Sequence, residues 1–180
     1  MACSSIALAG IGLGCKDSMG GIKEVYLIKE EEVTSVTLDT EGAAISAISC
    51  ISTASWKTYK FRKGTSQFTS TMTTDEAAGT LSVQTDLELQ FSKQETSKRL
   101  EIMAMCMDSL KGIVLDSNGK YWFLGMDYPI SASAATGQSG TAFEDFGGYN
   151  VTLTDNSRQF PFEVPESVIA TLTIAPAPVA

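Results

Sequence analysis

Between Val83 and Gly112 the period of the chain changes. Val83, Thr85, Leu87, Leu89 and Phe91 alternate with Gln84, Asp86, Glu88 and Gln90, the two-residue period of a strand buried on one face. Beyond Ser92 the spacing is helical: Leu100, Met103, Met107 and Leu110 share a stripe, with Ala104 among them. Ser92 stands three residues before Glu95, a capping-box spacing that satisfies amides at a helix start. Lys111-Gly112 offers a basic last turn and a C-cap. The pattern predicts a strand over 80–91 and a helix over 93–111, the only long helical pattern in the chain. Ile102, Met105 and Cys106 widen its apolar face and leave Ser97, Lys98, Glu101 and Asp108 as the polar side. A helix this apolar must be clamped between a sheet and further elements or a partner.

Most of the remaining pattern is strand. Ile22–Ile28 and Val33–Leu38 read as strands around a solvated KEEE run at 29–32, and 43–53 is a weaker strand. In Ser55–Lys63 aromatic and basic residues interleave, and neither face is cleanly apolar. Its basic groups are expected to meet acidic groups on another strand or subunit. Gly64 breaks that strand. The Thr-rich 65–74, the connector 75–79 and the return 80–91 form a long hairpin. Residues 113–124, IVLDSNGKYWFL, form another, turned at Asn118-Gly119, and Pro129 ends the strand that follows. Residues 131–148 read as a flexible loop whose end Phe143 and Phe146 anchor. Next come a strand at 149–154, a turn at 155–157, and closing strands at 159–164 and 168–174. The organisation is an arm at 1–20, a β domain at 21–174 and a tail at 175–180. The predicted fold class is mainly β, a two-sheet sandwich or barrel-like fold with one flanking α-helix.

Composition narrows the chemistry. The 180 residues fit one domain. The net charge is −8, from 13 basic and 21 acidic residues, which argues against a grip on phosphates but not against a wall that DNA slides past. The chain has no histidine, so triads and metal sites that need one are excluded. The pairs Asp86/Glu88 and Glu144/Asp145 read as surface carboxylates rather than a glycosidase couple. Gly137-Gln138-Ser139-Gly140 lacks the Lys-Ser/Thr of a phosphate loop. No enzyme activity and no cofactor is expected. The four cysteines make no CxxC pair and read as free thiols. No basic start precedes the apolar N-terminus, and no 18-residue apolar run occurs, so neither a signal peptide nor membrane insertion is expected.

Four pieces then combine: CKDSMGGIKEVYL at Cys15–Leu27, the strand-to-helix segment Leu87–Leu110, IVLDSNGKYWFLGMDYP at 113–129, and SGTAFEDFGGYNVTLT at 139–154. In this order, over Cys15–Val164, the chain resembles the tail tube and related virion structural proteins of bacteriophages, especially phages of Bacteroidetes hosts. The resemblance implies a β-sandwich or barrel-like core with a flanking helix. It implies homo-oligomeric rings, usually hexameric, that stack into a hollow tube through which genome DNA passes without specific binding. Other tail or sheath proteins would be partners, and the location would be the virion tail, with the host cytoplasm during assembly.

On that resemblance the strands 65–74 and 80–91, with Thr69, Thr71, Thr85, Leu87 and Leu89, are candidates for a barrel wall shared between subunits. The loops 29–32 (Glu30, Glu31), 75–79 and 131–148, with the arm 1–20, are candidates for ring-to-ring contacts. Lys57, Lys60 and Arg62 would sit at a subunit interface or on the exterior, because a basic strand suits a DNA-conducting lumen poorly. The alternative is another virion module that binds a protein partner: a minor tail, tail terminator or head decoration protein.

Overall fold

Ile22–Lys29 (β1) has no clean alternation because both of its faces are covered. Val25 and Leu27 are buried on one side, Tyr26 and Ile28 on the other. The computed structural model describes residues 10–178 and places β1 inside a six-stranded sheet. The other members are Trp56–Lys60 (β4), Leu110–Asp116 (β7), Tyr121–Leu124 (β8), Phe162–Val164 (β11) and Ile174–Ala175 (β12), in the order β11-β8-β7-β1-β4-β12. Pairing is antiparallel except for β12, which runs parallel to β4.

A second, four-stranded antiparallel sheet contains Gln67–Asp75 (β5), Thr80–Ser92 (β6), Ser131–Gln138 (β9) and Gly148–Ser157 (β10), in the order β5-β6-β10-β9. Between the sheets lies one apolar core. Val25, Leu27, Val114 and Leu124 come from the first sheet; Leu87, Leu89, Val151 and Leu153 come from the second. Thr96–Met107 (α1) adds Ile102 and Met105 to it. The hairpin of Val33–Leu38 (β2) and Ile45–Cys50 (β3) covers the opposite face of the six-stranded sheet. It does so together with a single helical turn at Glu166–Ile169 (α2), and this second core includes Ile45, Trp56, Phe123 and Ile169.

The chain is therefore mainly β, a sandwich with a flanking helix, as the pattern predicts. The sandwich carries an added outer layer, and no barrel closes among the described residues of one chain. The predicted helix is shorter than 93–111. Ser92 ends β6, Lys93 takes φ 66°, and Glu95 is the N-cap residue without a side-chain cap bond. Ser92 instead accepts a 2.7 Å hydrogen bond at its carbonyl from Lys98 Nζ, and Lys98 also pairs with Glu95 at 3.1 Å. Gly112 is not a cap. It lies in β7, where a Cβ would meet Ile130 Cδ1 at 3.0 Å and Leu27 Cδ2 at 3.1 Å.

Four other expectations change. Residues 131–138 form strand β9, because their small side chains pair with β10 at the sheet's edge. Phe143 does not anchor the following loop; it is fully exposed, while Phe146 is half-buried. Asp155-Asn156-Ser157 continues β10 instead of turning. The closing segment 168–174 is mostly α2 and irregular backbone, reaching the sheet only at Ile174. Of the arm, residues 10–20 are exposed without regular structure, and 1–9 lie outside the described residues, as do 179–180 of the tail.

Candidate assembly surface

The alternation that predicts β6 sorts the four-stranded sheet into two faces. Register partners share a face, so Val83, Thr85, Leu87 and Leu89 carry Met72, Ser70 and Phe68 of β5 and Leu153 and Val151 of β10 toward the core. The other face presents Thr69, Thr71 and Thr73 on β5, Gln84, Asp86, Glu88 and Gln90 on β6, and Asn150, Thr152 and Thr154 on β10. It is stitched by side-chain hydrogen bonds. Thr154 Oγ1 donates to Asp86 Oδ1 at 2.8 Å, Gln84 Nε2 to Asp86 Oδ2 at 3.0 Å, and Gln67 Nε2 to Glu88 Oε2 at 3.0 Å.

None of the chain's 13 basic residues lies on these four strands. Asp75, Asp86 and Glu88 share the outer face, and Asp155 points inward. The face is thus polar, anionic and free of cationic groups that would hold a phosphate backbone.

Among the described residues the sheet has two unpaired edges, β5 and β9. Neither is blunted by proline or lysine, the devices that usually block edge pairing. β5 and β9 run in opposite directions, since three antiparallel pairings separate them. If β5 of one copy met β9 of an identically oriented copy, the new pair would also be antiparallel.

The ten residues singled out from the sequence divide. Thr69 and Thr71 lie exposed beside the β5 edge. Thr85, Leu87 and Leu89 do not offer side chains to a neighbour: they are 0–1% exposed inside the chain's own core, and β6 is an inner strand. Thr85 is tolerated there because its hydroxyl shares a 2.8 Å hydrogen bond with Ser70. Lys60 meets Glu24 of β1 at 3.1 Å, an acidic partner on the adjacent strand. Lys57 and Arg62 are exposed. Glu30 and Glu31 form part of a 3-10 turn, Glu30–Glu32, rather than a loose loop, beside an ion pair of Lys29 with Asp108 at 2.9 Å.

The structure also exposes what the pattern places in the core. Leu100, Met103 and Met107 line the outer face of α1 at 55%, 48% and 82% exposure. The stripe was legible, but its direction was not: Ile102 and Met105 face inward instead. The free edge β9 is missed because Ala, Ser and Gly in 131–138 resemble a loop. Its length and the absence of proline are the signals that favour a strand.

Chemistry elsewhere is sparse. A cleft of about 460 Å³ lies between β4, α1 and the tail, walled by Tyr59, Phe91, Ile102, Met105, Pro176 and Pro178. Among the described residues no group of three His, Cys, Asp or Glu is placed to hold a metal ion, and no helix is long and apolar enough to cross a membrane. Comparison with family models, with curated proteins and with solved structures gives no match.

Proposed function

We propose that this chain is a structural subunit that forms rings by pairing β5 of each copy with β9 of the next, and that the rings stack into a hollow tail tube of a bacteriophage. The observation that carries this reading is the four-stranded sheet with two unblocked, oppositely directed edges. Such a head-to-tail contact closes into a ring when the rotation closes. An even number of strands per copy keeps the closed barrel antiparallel for any number of copies. The second support is the resemblance over Cys15–Val164, which implies rings, usually hexameric, and a role in conducting DNA.

The outer face fits the lumen of such a tube. It is polar and anionic, with no basic residue on its strands, so duplex DNA would slide past it without being gripped. The basic residues Lys57, Lys60 and Arg62 belong to the other sheet or to the loop after it, away from that wall. The 3-10 turn at Glu30–Glu32 and the loops 76–79 and 139–147 are then left for ring-to-ring contacts. The protein would act in the virion tail and assemble in the host cytoplasm, without catalysis.

Negative-stain microscopy of the purified protein, combined with mass measurement in solution, tests this reading. Rings or tubes are expected from the native chain. Thr69→Lys with Thr71→Lys, which places charge along the β5 edge, should leave a folded monomer. A native chain that stays monomeric at high concentration would overturn the proposal. A trimer that binds only to capsids would favour a decoration protein.

A further inference from the structure

The β5–β6 hairpin extends past the second sheet. Met72 and Leu81 lie on its core-facing side by register with Val83 and Thr74, yet they are 41% and 46% exposed. Around them the exposed strand positions are mostly Thr and Ser, with Asp75 near the tip. At the other edge of the same sheet, α1 lies against β9. Ile102 and Met105 enter the core shared with Leu87 and Leu89, so the helix is on the core-facing side as well. Its outer stripe of Leu100, Met103 and Met107 is uncovered among the described residues. Two apolar patches therefore sit on the same side of one sheet, each beside a different unpaired edge.

We infer that the outer stripe of α1 is the seat for Met72 and Leu81 of a second copy. This inference rests on the edge pairing proposed above and adds a second layer to that joint. When β5 of one copy is set against β9 of another, the core-facing side of the hairpin comes down on the side where α1 lies. The strand pair supplies backbone hydrogen bonds and direction but little sequence selectivity. The side-chain layer supplies buried apolar area, and methionine adapts to a curved, shared surface. The arrangement is heterologous, with different patches on the two sides, which suits a ring and not a twofold dimer. A stripe of three large exposed apolar side chains on a 12-residue helix is otherwise a liability in an unassembled chain.

Site-directed cross-linking tests the seat. Met72→Cys and Met107→Cys are combined in a chain whose Cys3, Cys15 and Cys106 are replaced by serine, and assembled particles are treated with a short bis-maleimide. A ladder of covalent oligomers from the double variant, with neither single variant giving one, is the expected result. Dimers from Met107→Cys alone would mean that two helices pack on each other, and would overturn the inference. Intact rings without the ladder would also overturn it, while leaving the edge-pairing reading in place. Failure of the parent chain to form any ring removes both.

A second measurement does not depend on cross-linking. Met107→Asp changes a residue that is 82% exposed in the single chain, so its melting temperature as a monomer should match the parent. Its threshold concentration for ring formation should rise roughly ten- to a hundred-fold, the effect of losing one buried Met side chain. An unchanged threshold would overturn the inference.

Discussion

Tyr59 Oη donates a 2.6 Å hydrogen bond to Glu101 Oε1, and through it strand β4 holds the side of α1. Burial, then this bond and the charge of Glu101, raise the Tyr59 hydroxyl well above the usual tyrosine range. Tyr59→Phe keeps the ring against Phe91, where the centroids are 6.2 Å apart at 69°, and removes only the bond. The expected cost is about 1 kcal/mol at neutral pH, or about 2–4 °C in Tm. Because the folded-state pKa is raised, this contribution is complete below the ordinary tyrosine value of about 10 and is lost as pH rises beyond it. Denaturant unfolding from about pH 8 to about pH 11 should give a shallower alkaline decline for the variant. Tyr26, raised in the same direction by burial and by its bond to Glu24, maintains part of the decline in both. Parallel curves would show that the Tyr59–Glu101 bond contributes nothing to alkaline stability.

Asp155 sits opposite Thr85 in the pairing of β10 with β6, 2% exposed, and its Oδ1 has no hydrogen-bond partner. Burial pushes its carboxyl above the ordinary range; the Gly125 amide pulls it back, Asp127 raises it and Lys111 lowers it. A raised carboxyl pKa makes the folded state hold a proton that the unfolded state releases. Stability is therefore greatest below the ordinary carboxylate value and falls as pH rises through the folded-state pKa. Asp155→Asn has no charge to desolvate and should be more stable at neutral pH by about 1 kcal/mol. Urea midpoints at acidic and neutral pH check this: the gap between variant and parent should open as pH rises. A variant weaker than the parent at neutral pH would contradict it.

The sequence yields those elements in which local chemistry and packing agree. Asp116 accepts from the amides of Asn118 at 2.7 Å and Lys120 at 2.9 Å and from Trp122 Nε1 at 3.2 Å, so the Asp-Ser-Asn-Gly turn is encoded in a few adjacent residues. β6 is equally legible, because one of its faces meets solvent and the other the core. Legibility fails where a neighbour distant in sequence decides the outcome. Leu110 continues the helical stripe of Leu100, Met103 and Met107, but a backbone pairing with Ile130 draws it into β7. Asp155 resembles a turn residue until its pairing with Thr85 of β6 carries β10 on through it. Of the proposed assembly surface, the polar residues Thr69 and Thr71 are legible. The second edge β9 and the direction of the α1 stripe depend on tertiary packing.

Gly148 marks a close approach of two strands. A Cβ built there would lie 2.1 Å from the Phe91 carbonyl oxygen and 2.8 Å from Phe146 Cζ. The backbone oxygen cannot move without breaking the β6–β10 ladder, in which Gly148 pairs with Ser92. Gly148→Ala should therefore cost about 2–3 kcal/mol. It should also loosen the junction where Lys93 N donates to Gly147 O at 2.8 Å. Chemical denaturation reads the first effect, and amide exchange at Lys93 reads the second. Gly137 provides the comparison: a Cβ there would meet side chains alone, the Tyr149 ring at 3.0–3.1 Å and Gln94 Nε2 at 3.9 Å, so Gly137→Ala should cost about 1 kcal/mol. Equal losses for the two variants would show that the Phe91 carbonyl can yield.

The outer face of the four-stranded sheet gives the sharpest test of the proposed lumen. Asp86 and Glu88 point from it on the inner strand β6, and no lysine or arginine lies on the four strands to offset them. If this face lines a channel for DNA, the native particle should hold linear duplex weakly. Replacing both residues by lysine changes the wall by four charges per copy and gives it groups that release counterions from DNA. Asp86→Lys also removes acceptors used by Thr154 and Gln84, so circular dichroism and ring morphology must first match the parent. Particles of the double variant should then retain DNA at about 50 mM salt and lose most of it by about 200 mM, whereas native particles should show little dependence. Intact rings of the double variant that gain no DNA retention would place this face away from the channel and the basic strand β4 nearer to it.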